Sequence, residues 1–288
     1  MHPPPAQNHH NQPRESAIPP HTPPPTPNVT QADIERGLAQ AGIGDGDVVL
    51  VHSSLRSFGH VAGGADAVID ALLAAVGTAG TVVVPTFTWT AFHDKTGVTF
   101  DMVNTPSATG RITEVFRHRP EAVRSCHLCH SVAAIGPHAQ AVMGDGVSPW
   151  AEGSTFAQLY ALDAWNLFLG VRLGSCCTAL HAAEEQMRVP YRTYRDFRRS
   201  TVVWPDGRRE PSRAVEFLRK PGYRNNFLKM DDILARHDVL RSATVGNATL
   251  TNVRIRHIID IAKGYLADDI GFLLADDCRD ALPPRTGS

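Results

Sequence analysis

This 288-residue chain has no run of 18 apolar residues able to span a bilayer, and its N-terminus lacks the apolar stretch of a secretory signal. Cysteine is scarce. Five residues (Cys126, Cys129, Cys176, Cys177, Cys278), an odd number without an export signal, lead to the expectation of reduced thiols in a cytoplasmic protein. Excess charge of one sign is missing too: a net charge of −1 and a pI near 6.9 exclude a nucleic-acid surface driven by bulk charge. Residues 1–28 lack Val, Leu and Phe but hold ten of the 21 prolines and four of the 14 histidines. Such a segment cannot bury enough apolar surface to offset its ordering entropy, so a disordered Pro/His-rich tail is expected.

From Val29 onward apolar periodicity takes over. Thr30 and Asp33 mark a helix start, followed by Ile34, Leu38 and Ala41 on one face. Val48-Val49-Leu50-Val51-His52 is a short apolar run of the kind buried in a parallel sheet, and Thr81-Val82-Val83-Val84-Pro85 is another. Between them Val68, Ile69, Leu72, Leu73 and Val76 recur at helical spacing, which makes a right-handed βαβ unit. Further strands are expected at 131–136 and 167–170, with helices at 112–116, 156–160 and 253–266. Thr201-Val202-Val203-Trp204, a Pro-Asp-Gly turn and Arg208-Arg209 predict a β-hairpin added at an edge. The expectation is one α/β domain over 29–277, a central, mostly parallel sheet flanked by helices, and a frayed tail at 278–288.

Three stretches carry chemistry. Thr178-Ala-Leu-His181-Ala-Ala-Glu184-Glu185 puts an imidazole and a carboxylate at i and i+3, on one face of a helix that Ser175 is placed to cap. A histidine held by a carboxylate is a common base at neutral pH. The loop after the first strand, with Ser53 and Ser54, and the helix opening at Gly63-Gly64 offer hydroxyls and N–H groups where ligands of open α/β sheets bind. Cys126-His-Leu-Cys129-His130 has the C-x-x-C-H spacing of haem attachment or half a zinc site, but the export signal and the second ligand pair are both missing. The basic run 192–199 reads as a solvated edge more readily than as a phosphate contact.

Side by side, these stretches resemble the aminoglycoside 3-N-acetyltransferase family. The resemblance rests on Val51-His52-Ser53-Ser54-Leu55 with Gly63-Gly64, Gly80-Thr81 leading into Val84-Pro85, and Arg124-Ser125 with His127 and Ser131-Val132-Ala133-Ala134-Ile135-Gly136-Pro137. It continues through Ser148-Pro149, Gly153-Ser154, Leu169-Gly170, Thr178-Ala-Leu-His181 with Ala183-Glu184, Val189-Pro190-Tyr191 and Val245-Gly246-Asn247-Ala248. Leu128 departs from it, standing where the family often has proline, and the 1–28 extension has no counterpart.

The resemblance implies an acetyl-CoA-dependent N-acetyltransferase that needs no metal and acts on a primary amine, foremost the 3-amino group of an aminoglycoside. It implies His181 as catalytic base, with Glu184 and Glu216 as carboxylates holding the imidazole. Coenzyme A is expected along Ser53, Ser54, Leu55, Arg56 and Ser57, at Gly64, and near Ser131 and Val132. An aminoglycoside is a polycation, so its pocket should carry carboxylates: Asp94, Asp101, Asp145 and Glu152 are candidates, with His127 beside the cleft. No nucleic acid or membrane is implied as partner, and a homodimer is admitted. The alternatives are acetylation of another amine, such as an amino sugar or a nucleotide-linked amine, a coenzyme A-binding module without turnover, and a metalloprotein built on 126–130.

Overall fold

The computed structural model describes residues 28–93, 96–279 and 281–282. β1 (Asn28–Val29) precedes α1 (Gln31–Gln40), which opens on a reciprocal capping box. Thr30 Oγ1 accepts from the Asp33 N–H, and the Asp33 carboxylate accepts from the Thr30 N–H. β2 (Val48–Ser53), β3 (His60–Val61), α2 (Gly64–Val76) and β4 (Thr81–Pro85) follow, with β1 pairing in parallel with β3. Next come α3 (Thr90–His93), β5 (Thr99–Asp101), α4 (Arg111–Phe116), β6 (Val123–Arg124) and β7 (Val132–Ile135). α5 (Thr155–Ala161), β8 (Trp165–Leu169), α6 (Leu173–Cys176) and α7 (Leu180–Gln186) lead to β9 (Arg192–Asp196), β10 (Thr201–Val203), β11 (Arg209–Pro211) and β12 (Val215–Arg219). The chain closes with α8 (Lys229–Arg236), β13 (Arg241–Val245), β14 (Ala248–Arg254), α9 (Ile255–Asp268) and α10 (Asp276–Arg279).

The main sheet has the order β13-β14-β8-β2-β4-β7-β6. Only β2 runs parallel to both of its neighbours, β4 and β8. The remaining pairings are antiparallel, so the sheet is mixed and the expected mostly parallel sheet is corrected. The reason lies in the connections. A parallel pair needs a long crossover, which α2 supplies between β2 and β4, whereas β13 and β14 are joined by a turn at Gly246 and Asn247. The 201–211 hairpin forms, but it joins β5 in a separate small sheet rather than extending the main one. The boundary expected at 277 falls inside α10, where Cys278 is buried against the core.

Side chains of β2 alternate between two cores. Val49 and Val51 face Ile34, Leu38, Val68 and Ile69, whereas Val48 and Leu50 face Phe168, Leu180 and Ile258. That burial on both faces is why β2 reads as an unbroken apolar run. The parallel pairing of β2 with β4 and β8 sends the carboxyl ends of these strands to one edge, where the loops meet the ribbon formed by β9 and β12. No helix among the described residues is long and apolar enough to cross a membrane.

Candidate active site

A cleft of about 600 Å³ opens at that edge. Ser53 and Pro85 from the strand ends, Val171 and Thr178 beyond β8, and Arg192 and Glu216 from the ribbon line it. Phe87, Trp89, Phe92, Trp150 and Phe227 contribute aromatic rings to its walls. α6 and the segment at Phe227 come together because residue 174 is glycine: a Cβ there would stand 2.6 Å from the Leu228 Cα.

His181 lies in the first turn of α7, its side chain 24% exposed and facing the cleft. Ser175 sits within α6 and does not cap this helix, whose N-cap position is Ala179 and has no side-chain cap. His181 Nδ1 is 2.6 Å from Glu184 Oε2, and Glu184 is fully buried. An ionised carboxylate only accepts, so Nδ1 carries the proton and Nε2 is left to the cleft. Arg192 Nη2 donates to the same carboxylate oxygen at 2.8 Å, and Asn225 Nδ2 donates to the other at 2.8 Å. Burial alone would push the Glu184 carboxyl up, but Arg192 and His181 outweigh it and hold it below the usual range. Burial lowers the His181 imidazole, the Arg192 charge adds to the effect, and Glu184 only partly opposes them.

Glu216 is buried as well, but its bond goes to His130 Nδ1 rather than to His181. Burial opposes its charge, while His130 and then His127 hold the carboxyl low. His127 is buried outside the cleft lining, with Nδ1 accepting from the backbone N–H groups of His130 (3.0 Å) and Cys129 (3.3 Å). His127, His130 and Glu216 stand close enough to share an ion, yet hydrogen bonds already occupy the facing atoms. The thiols of Cys126 and Cys129 are free, and burial raises both.

The other expected site residues divide. Ser53 lines the cleft. Ser54 gives its N–H to Leu169 O, and Ser57 Oγ donates to Ser54 O. Leu55 and Arg56 continue that turn, and Ser57 lines a second cavity of about 410 Å³ with Arg172, Asp231 and Asn247. Val171 borders both cavities. Gly64 adopts a φ of +61° at the start of α2 and does not line the cleft. Ser131 and Val132 are fully buried in and beside β7, with Ser131 Oγ donating to Thr86 O. Asp145 accepts from the Val147 N–H, Glu152 is exposed, Asp101 holds Asn104, and none of the three lines the cleft. Asp94 lies outside the described residues.

Two residues at the centre of this geometry were not predicted as site residues. His130 falls in the run read for metal or haem, and its position just before a core strand was the available signal. Arg192 falls in the basic run read as a solvated edge, although it directly follows Pro190-Tyr191.

An imidazole backed by a buried carboxylate, at the strand ends of an α/β sheet and open to a cleft, is the equipment of a group-transfer enzyme acting on small molecules. The chain belongs to the aminoglycoside 3-N-acetyltransferase family, whose sequence model matches residues 50–267, and is by family an acyltransferase. Aminoglycoside N(3)-acetyltransferase IV of Salmonella sp is 31% identical over 243 residues, covering 83% of this chain and 88% of that protein. Aminoglycoside acetyltransferase AAC(3)-IVa, solved as a histidine-to-alanine mutant in complex with gentamicin, superposes with a TM-score of 0.71 at 28% identity, covering 88% of this chain and 96% of that one. AAC-IIIb in a binary complex with CoASH shares the fold, with a TM-score of 0.73 at 22% identity over 84% and 97% of the two chains.

Proposed function

We propose that the protein moves the acetyl group of acetyl-CoA onto a primary amine, foremost the 3-amino group of an aminoglycoside, with His181 as the general base. The observation that carries this reading is the His181–Glu184–Arg192 chain, which leaves Nε2 facing the cleft. An amine attacks a thioester only when unprotonated, so a base must take a proton as the N–C bond forms. Glu184 keeps the ring oriented and favours its cation after transfer, while Arg192 keeps Glu184 ionised.

The adjoining cavities suit a donor with a long tail. The turn Ser53, Ser54, Leu55, Arg56 and Ser57 runs between them, and Arg172 adds a guanidinium at the second. The gentamicin complex of AAC(3)-IVa and the CoASH complex of AAC-IIIb support the acceptor and the donor respectively. One observation favours a second reading. Glu216 is the single carboxylate among the described cleft-lining residues and is already paired, while five aromatic side chains contribute to the walls. With its one described lining carboxylate already paired, the cleft holds little counter-charge for a polycation and suits an amine of lower charge than an aminoglycoside. Free-thiol release from acetyl-CoA, measured across aminoglycosides and simple amines, decides between them. No release with any amine would end both readings.

A further inference from the structure

Acetyl transfer has a second proton-transfer step, protonation of the departing sulfur, to which the role of His181 as base assigns no group. As the C–S bond breaks, the departing sulfur is an alkyl thiolate, a base that leaves far more readily if it is protonated on departure. A second imidazole–carboxylate pair faces the same cleft. His130 lines it with Nδ1 held by Glu216, which is 1% exposed, so the ring's other nitrogen is the one not engaged by the carboxylate. The two imidazoles pack against the same indole: Trp150 lies 4.8 Å from the His130 ring and 5.4 Å from the His181 ring, both edge to face. Phe87 at 4.6 Å and Phe92 at 5.4 Å lock the His130 ring from other sides. The titratable groups facing it are Glu216 from β12, His127 from its own loop and His181 from α7.

From this arrangement we infer that His130 is the general acid of the reaction: its Nε2 proton goes to the sulfur as the C–S bond breaks, while His181 takes the amine proton as the N–C bond forms. One proton leaves the amine and one reaches the thiolate, giving amide and free thiol. His181 then returns its proton to water and His130 regains one from water before the next turnover. The acting form of the ring carries a proton on each nitrogen, Nδ1–H given to Glu216 and Nε2–H free for the sulfur, and His127, 3.7 Å from Glu216, is a positioning residue through the loop N–H groups it accepts. This role rests on the acetyl-CoA and His181 reading above, but it can fail while that reading stands.

Leaving-group dependence tests it. His130→Gln is compared with the parent using acetyl-CoA and using S-(4-nitrophenyl) thioacetate, whose aryl thiolate departs without a proton. The expected loss in turnover is about 10²–10⁴-fold with acetyl-CoA and only a few-fold with the aryl donor. Equal losses with the two donors, or no loss with acetyl-CoA, overturn the assignment. The parent enzyme gives a second reading that does not depend on the variant folding. An acid must be protonated to act, so turnover with acetyl-CoA should fall on the alkaline side of the pH profile, and that limb should vanish with the aryl donor. The same limb with both donors overturns it. His181→Ala separates the two readings, because a lost base cripples both donors.

Discussion

The guanidinium of Arg192 reaches the buried carboxylate of Glu184 at 2.8 Å, and the same Nη2 lies 2.9 Å from His181 Nδ1, where it acts by its charge because both nitrogens donate to the Glu184 oxygen. Its other terminal nitrogen donates to Phe217 O at 2.8 Å, which ties the base to the β9–β12 ribbon. Arg192 therefore acts on both members of the pair. It keeps Glu184 ionised despite full burial, and it lowers the imidazole so that the ring is unprotonated, and able to accept, further into the acidic range.

Arg192→Met should consequently move the acidic limb of the kcat/KM profile to higher pH, because the imidazole loses a neighbouring cation. Leaving Glu184 buried without its cation should cost about 3–5 kcal/mol of stability. Arg192→Lys should keep more of both, since it restores charge without the two-pronged contact. A pH–rate series with a urea melt checks this. An acidic limb unmoved in the Met variant would show that Arg192 does not act on the base.

His181→Ala should lower turnover about 10²–10⁴-fold while leaving coenzyme A affinity close to that of the parent, because its part is proton removal rather than donor binding. The acidic limb should flatten with it. His127→Ala is the comparison: buried outside the cleft lining, it can weaken the loop but should retain that limb. Turnover near the parental rate in His181→Ala, with His127→Ala dead, would move the base to His127.

What the sequence made legible follows from distance along the chain. β2, β4 and β8 could be read as strands because burial on both faces leaves apolar runs. His181 and Glu184 could be paired because i and i+3 is a local relationship. Glu216 and His130 are 86 residues apart and meet only through tertiary packing, so no spacing rule pairs them. β9 was hidden for a different reason: its sequence Arg192-Thr-Tyr-Arg-Asp196 has three of five residues exposed, so its charges masked a strand whose first residue is buried. The antiparallel edge pairs were missed because apolar runs give strand positions but not strand directions.

His52 should make stability depend on acid. It lines the cleft, stacks on Phe168 at 5.3 Å and has a buried Nε2 without a partner, and burial pushes its imidazole from 6.5 down to about 4. A lowered folded-state value means that the unfolded chain binds the proton more readily. The contribution is therefore complete above pH 6.5 and lost as pH falls towards 4. At 1.36 kcal/mol per unit the contribution is about 3 kcal/mol. His52→Phe removes the titration while keeping a ring against Phe168, so its stability should fall less than the parent's between pH 6.5 and 4. Denaturant melts across that range measure it, and parallel curves would rule out His52 as a source.

Two truncations test where the folded domain begins. Val29 is 2% exposed in the same apolar cluster as Phe58, and Val29 O accepts the Ala62 N–H. The chain closes tightly over it: at Gly246, where φ is +57°, a Cβ would come within 2.4 Å of the Val29 side chain. Removing residues 1–27 leaves β1 and the Thr30 cap in place, so melting temperature and thioester turnover should match the full chain. Removing 1–29 deletes the strand and exposes the surface that Val29 covers, which should cost about 1.5–3 kcal/mol and lower the melting temperature by several degrees. Turnover at permissive temperature should survive the second truncation, since β1 contributes nothing to the cleft lining. If the 1–27 truncation alone lowers the melting temperature as far as the longer one does, the proline-rich segment itself contributes to stability, and the boundary lies upstream of Asn28.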